Sequence, residues 1–307
     1  MKTFIPDYYD GFSCLMGECR HTCCKGWEID IDSDTLAYYK SLRRPRRKSI
    51  LRGIDETADG ASFRLTEDER CPFLNKDGLC DIVILLGKGG LCDICRDHPL
   101  YRNYISDREE TGLGLCCESA CRLILGRETP ISLVLTADDG NDKPDEESEA
   151  VIAERDALVS IAQDRSLPVA ERVMKIENRA SVSAPDIRAL TEEMKTLEIL
   201  DCGWLRQLDA ASESTGEAVF CAEEELRFEN LLSYLLFRHI PEADGKENVP
   251  PLVSFCTASW RLIRSIYLHG EHSAEALEEI CRMWSAEIEY SDENPAAVLN
   301  MLNGNAV

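Results

Sequence analysis

Beyond about residue 150 the apolar residues recur at helical spacing, and before it they do not. Val151, Ile152, Leu158, Ile161 and Ala162 mark one amphipathic helix. Pro168, suited to an early helical position, starts a second through Val169, Val173, Met174 and Ile176. Ser183 can cap a third at Ala184-Pro185. Residues 228–240 form the most apolar helix of all, with further helices over 252–268 and 273–290. Asp292 or Asn294 caps a short last one carrying Ala296, Val298 and Leu299.

The first 130 residues read differently. Residues 26–32 (GWEIDID) alternate apolar and acidic positions, which predicts a short strand or extended segment. Ser33 or Asp34 then caps a helix through Leu36, Tyr38, Tyr39 and Leu42 that stops near Pro45. Asp77-Gly78, between apolar flanks, signals a tight turn that brings Cys71 and Cys80 together. A short apolar run at 82–86 is closed by Gly87, Gly89 and Gly90, and residues 111–126 form a buried element that carries Cys117 inward. Residues 136–149 are acidic and turn-rich, a boundary or exposed loop. The expected fold is therefore mainly α. A cysteine-rich, metal-binding N-terminal half (1–130), with short helices and little strand, packs on an acidic helical half (131–307), as two regions or one continuous domain.

The cysteines change this picture from architecture to chemistry. Eleven of fifteen lie between Cys14 and Cys121, grouped as Cys14-x4-Cys19-x3-Cys23-Cys24, Cys71-x8-Cys80, Cys92-x2-Cys95 and Cys116-Cys117-x3-Cys121. Soft thiolates on short loops select zinc, iron–sulfur clusters or copper(I). A disulfide framework fits less well. A chain of 307 residues can bury a core unaided, its first residues lack the apolar run of a signal peptide, and adjacent cysteines resist bonding to each other. Cys202, Cys221, Cys256 and Cys281 stand alone on helices and read as small buried hydrophobes. His239, His269 and His272 read as structural or surface residues.

Charge narrows the partners. Residues 1–130 hold 19 basic and 22 acidic residues, and residues 131–307 hold 15 and 35. Such acidity argues against nucleic acid. One basic run, Arg43-Arg44-Pro45-Arg46-Arg47-Lys48, is either a grip for an anion or acidic surface or a solvated loop, and reads better as the latter. No apolar run approaches the ~20 residues of a membrane span, so a cytoplasmic protein without membrane partners is expected.

The segments Phe12-x-Cys14-x4-Cys19-x3-Cys23-Cys24-x-Gly26-Trp27, Cys71-Pro72-Phe73-Leu74-Asn75, Gly78-Leu79-Cys80 and Leu91-Cys92-x2-Cys95-Arg96 together resemble the flagellin lysine-N-methylase family. Cys117 with Arg122-Leu123-Ile124-Leu125 resembles its closing motif, and the segments around Glu229, Phe237-Arg238-His239 and Glu287-Ile288-Glu289-Tyr290 are also similar. The resemblance implies methyl transfer from S-adenosylmethionine to lysines of flagellin, with an iron–sulfur centre, a four-iron cluster favoured over zinc. The ligands carried over are Cys14, Cys19, Cys23, Cys24, Cys71, Cys80, Cys92, Cys95 and Cys117. Cys116 and Cys121 are extra to the pattern, and Leu100 stands where a basic residue is expected.

Methylating a lysine requires its neutral amine, although its ordinary pKa is about 10.4. A site must therefore desolvate the ammonium or offer a base, and must align amine and methyl. Glu229, Tyr234, Glu289 and Tyr290 are candidates through the resemblance, and helix-face positions otherwise. No glycine-spaced, acidic strand–loop–helix supports a Rossmann-type cofactor site. Neither Cys19-x3-Cys23 nor Cys117-x3-Cys121 continues to the C-x3-C-x2-C of radical enzymes. The alternative function is a non-catalytic zinc- or iron-chelating protein whose thiols staple the N-terminal half.

Overall fold

The computed structural model describes residues 1–58, 60–212 and 219–304. Strand β1 (Lys2–Pro6) comes first, and helices α1 (Ser33–Ser41) and α2 (Arg46–Leu51) precede a small hairpin of β2 (Ile54–Glu56) and β3 (Ala61–Phe63). Two short helices follow, α3 (Asp81–Leu86) and α4 (Asp93–Asp97). Strands β4 (Leu100–Ile105) and β5 (Arg108–Leu113) lead into α5 (Glu118–Leu125) and β6 (Leu133–Asp138). The rest is helical: α6 (Glu146–Ala162), α7 (Val169–Ala180), α8 (Ile187–Met194), α9 (Cys202–Ser212), α10 (Ala222–His239), α11 (Val249–His269), α12 (Ala274–Trp284) and α13 (Asn294–Leu302).

The described chain is mainly α with a small mixed sheet. It packs as two compact units, residues 13–99 and residues 1–12 with 100–307. Packing therefore does not divide at residue 130, where the sequence suggested a division. The reason is the sheet, ordered β4-β5-β1-β6, in which β1 runs parallel to β5 and antiparallel to β6. Backbone pairing ties residues 2–6 to partners more than a hundred positions away, and the sequence pattern showed none of these strands. β6 falls partly within the segment expected to be loop, because five of its six side chains are exposed and no buried face marks it.

The larger unit is built around α10 and α11. Every residue from Phe228 to His239 is buried, the polar Glu229, Asn230, Ser233, Arg238 and His239 included, so this part of the helix lies inside the core. Trp260 of α11 donates its indole N–H to the Phe228 carbonyl at 3.0 Å, and the Phe228, Trp260 and Tyr267 rings meet edge to face. The caps follow local chemistry. Asp145 and Asp186 accept from the first amides of α6 and α8, Pro168 precedes α7, and Ser273, where a helix was expected to begin, caps α12. The cap of α8 is thus Asp186, which the Ser183 assignment missed by three residues.

In the smaller unit, the segment expected as a strand at residues 26–32 bends at Gly26 (φ +88°) and Trp27 and makes one isolated bridge, Asp30 to Ser62, while Lys25 before it bridges Arg70. The segment's alternation still buries Ile29 and Ile31 against Tyr39, Ile50, Phe63 and Phe73. The run at 82–86 is helical and forms α3, while residues 111–126 divide between the end of β5 and α5. Among the described residues no helix is long and apolar enough to cross a membrane.

Candidate metal centre

Three local structures gather thiols in residues 13–99. The first is a backbone contact, in which the Cys71 amide donates to the Cys24 carbonyl at 2.9 Å. The second is the turn at Asp77-Gly78. Asn75 Oδ1 accepts from the amides of Asp77 and Leu79, both at 3.0 Å, and Gly78 takes φ +73°, which suits glycine. Leu74 and Cys80 then bridge across the turn, returning Cys80 toward Cys71. The third is α4, where Cys92 occupies the N-cap and Cys95 follows one turn later, so that their sulfurs share a hydrogen bond.

Cys71 and Cys92 are buried, and Cys24, Cys80 and Cys95 pack partly buried against the same cluster. Burial pushes the Cys71 thiol up to about 12 and raises Cys80 as well. The shared hydrogen bond raises Cys95 and lowers Cys92, and a hydrogen bond from Cys23 takes Cys24 down to about 7. Nearby thiols add to the rise at Cys71 and Cys95. At Cys71, Cys80 and Cys95 this favours the neutral thiol unless a cation binds. The donor set therefore fits a soft metal or an iron–sulfur cluster chemically.

Of the nine expected ligands, Cys24, Cys71, Cys80, Cys92 and Cys95 are brought together, with Cys23 joined through Cys24. Cys14 lies exposed on a separate turn, its sulfur accepting from the Met16 amide at 3.4 Å, and Cys19 follows that turn. Cys117, at the N-cap of α5, belongs to the other compact unit. Among the described residues no three His, Cys, Asp or Glu side chains stand at metal-ligating geometry. The four later cysteines also divide. Cys256 and Cys281 are buried as expected, whereas Cys202 and Cys221 are exposed at helix starts. Cys281 is not alone, since it shares a hydrogen bond with buried Cys121.

The larger unit holds a buried polar cluster that contains three of the other candidates. Arg238 of α10 pairs with Glu289 at 3.2 Å and donates to the Tyr234 hydroxyl at 2.7 Å. Its guanidinium lies 4.9 Å from the Tyr101 ring centre and 5.1 Å from that of Tyr290. Glu289 also accepts from Tyr234, from Ser285 and from His239 Nε2 at 2.9 Å. Burial would raise its pKa, but Arg238 and the hydrogen bonds outweigh that and hold it ionised. Residues Ser285–Glu289 form a π-helical turn that continues α12 and ends at Glu289. Glu229 is elsewhere, buried between Arg165 (2.8 Å) and Arg172 (2.6 Å) as an internal ion pair. Sequence reasoning missed Arg238. An arginine directly after the apolar run Leu235-Leu236-Phe237 was the available signal, since a buried charge demands a partner.

This aromatic and acidic constellation, which the resemblance offered for an incoming lysine, is filled by the protein's own guanidinium. Two proteins named lysine-N-methylase, from Salmonella typhimurium (strain LT2) and Salmonella choleraesuis (strain SC-B67), are each 26% identical to the chain over 134 residues. The chain resembles the lysine-N-methylases. The matched stretch covers 42% of this chain but only 33% of each of those two proteins, so about two thirds of their length lies outside it. A protein of Salmonella muenchen named flagellar biosynthetic protein FliU is 25% identical over 134 residues, which make up 79% of its length. No family model and no solved structure matches the chain.

Proposed function

We propose that the protein transfers a methyl group from S-adenosylmethionine to lysine side chains of a protein substrate, with flagellin the favoured one, and that its grouped cysteines hold an iron–sulfur cluster or zinc. The observation that carries this reading is the similarity to proteins named for lysine methylation. The thiols of residues 24–95 support its metal part. Cys24, Cys71, Cys92 and Cys95 would hold the metal, with Cys80 and Cys23 beside them, and a bound cluster or ion would supply positive charge that keeps these sulfurs ionised. Lysine would have to lose its proton on entering, by desolvation or to a base. Tyr234, Glu289 and Tyr290 are not assigned that work, because they already neutralise and enclose Arg238.

One observation favours the second reading, a metal-binding protein without catalysis. The thiols belong to a compact unit with its own apolar cluster, where a metal would serve stability alone. The test incubates the full chain, purified without oxygen, with methyl-labelled S-adenosylmethionine and unmethylated flagellin. Mass spectrometry should find methyl-lysine on flagellin. Labelled cofactor left intact, with flagellin and a cell-extract protein pool both unmodified, would reject the methyltransferase reading and leave the second.

A further inference from the structure

Helix α1 touches the Cys92-x2-Cys95 turn on both sides of Cys92. At its N-terminus Asp32 uses its two carboxylate oxygens on two different helices. Oδ1 accepts from the Thr35 amide at 2.8 Å and so caps α1 itself. Oδ2 accepts at 2.9 Å from the amide of Asp93, the first residue of α4, sixty-one positions away. This oxygen thus takes up one of the first amides of α4 from outside that helix. Seven residues further along α1, and so on the same face, lies Tyr39, 0% exposed. Its hydroxyl donates to the Gly90 carbonyl at 2.7 Å. A Cβ at Gly90 would stand 2.5 Å from Leu86 Cβ, so the backbone there is held close as well. Residues 90 and 93 are thus each fastened to α1 by one side chain, and Cys92, also 0% exposed, hangs between them.

We infer that Asp32 and Tyr39 are positioning residues that hold the Cys92-x2-Cys95 turn against Cys24 and Cys71 for metal binding. This rests on the proposed thiol centre. Groups outside the ligand shell commonly act this way, fixing the orientation of ligands they do not replace, and their loss weakens metal binding by about 10–100-fold. Neither residue donates to the metal here. Asp32 acts through a backbone amide and Tyr39 through a backbone carbonyl.

The experiment titrates full-length, metal-free protein under anaerobic conditions with cadmium(II), against a competing chelator, and reads the thiolate-to-metal charge-transfer absorption. Asp32→Ser retains a hydroxyl to cap α1 but has no second oxygen for Asp93, and Tyr39→Phe retains the ring but not the hydroxyl. Each should weaken cadmium affinity by about 10–100-fold with the helical circular-dichroism signal retained. Tyr38→Phe, at the exposed neighbouring position, should bind as the wild type does. Wild-type affinity in both Asp32→Ser and Tyr39→Phe, even with lowered melting temperatures, would overturn the inference and reduce these residues to general stabilisers. Failure of the wild type to develop the band, or an undiminished band in Cys71→Ser, would reject the thiol centre itself and the inference with it.

Discussion

Replacing Arg238 by methionine tests whether the polar cluster of the larger unit is a structural device. The side chain of Arg238 is 9% exposed and that of Glu289 is 0% exposed, so the change leaves a buried carboxylate facing an apolar group. Removing one partner of a buried pair typically costs about 3–5 kcal/mol. The guanidinium also stacks on Tyr101 and on Tyr290, and each such cation–aromatic interaction is worth up to about 2 kcal/mol when desolvated. These terms overlap, and His239, Ser285 and Tyr234 still donate to Glu289, so a destabilisation of about 4 kcal/mol is expected. That is a large part of the roughly 5–15 kcal/mol typical of a domain. Urea unfolding followed by tryptophan fluorescence suits the measurement. Trp204, Trp260 and Trp284 are each 1% exposed in this unit, whereas Trp27 lies exposed in the other. The double change Arg238→Met with Glu289→Gln removes both charges and should recover part of the stability. A single variant within about 1 kcal/mol of the wild type would refute the reasoning, since that is the range of an exposed pair.

Burial alone would lower the pKa of His239, but hydrogen bonds to Glu242 (3.1 Å) and Glu289 (2.9 Å) outweigh it and raise the value above the ordinary 6.5. Its contribution to stability is therefore complete below about pH 6.5 and is lost as pH rises through the folded-state value. The urea midpoint of the wild type should fall across that window relative to His239→Gln, and parallel midpoints from about pH 6 to 9 would count against it. Cys71→Ser should lose bound metal and melt earlier, whereas Cys256→Ala should keep its metal. The Cys256 sulfur only donates to the Leu235 carbonyl, inside the other unit. Equal metal content in the two, by elemental analysis with acid-labile sulfide, would rule out the proposed ligands.

The helices of the larger unit were legible because an amphipathic period and a short cap are local signals, as Ser273 and Pro168 illustrate. Cys71 and Cys80 were legible as neighbours for the same reason, through Asp77-Gly78. The sheet was not. β1 holds its place by pairing with Arg108–Glu110 and Leu133–Asp138, and nothing in so short a strand encodes a partner so distant. The cysteine spacing marked thiol chemistry without sorting it. Cys14 and Cys117 carry the same side chain as Cys24, and only the path of the chain sets the first on an exposed turn and the second in another unit. Arg238 went unnoticed as the occupant of the aromatic cluster because Tyr101, Tyr234 and Tyr290 converge only in three dimensions.

The pairing of β1 with β5 also sets an order of events during synthesis. Lys2 aligns with Arg108, so the strand leaves the ribosome 106 residues before its parallel partner. At about 5–20 residues per second, the interval is roughly 5–20 s. Residues 13–99, with an apolar cluster of their own, are completed inside it. That unit is therefore complete while the larger one is still an open chain, ahead of the closure of the sheet.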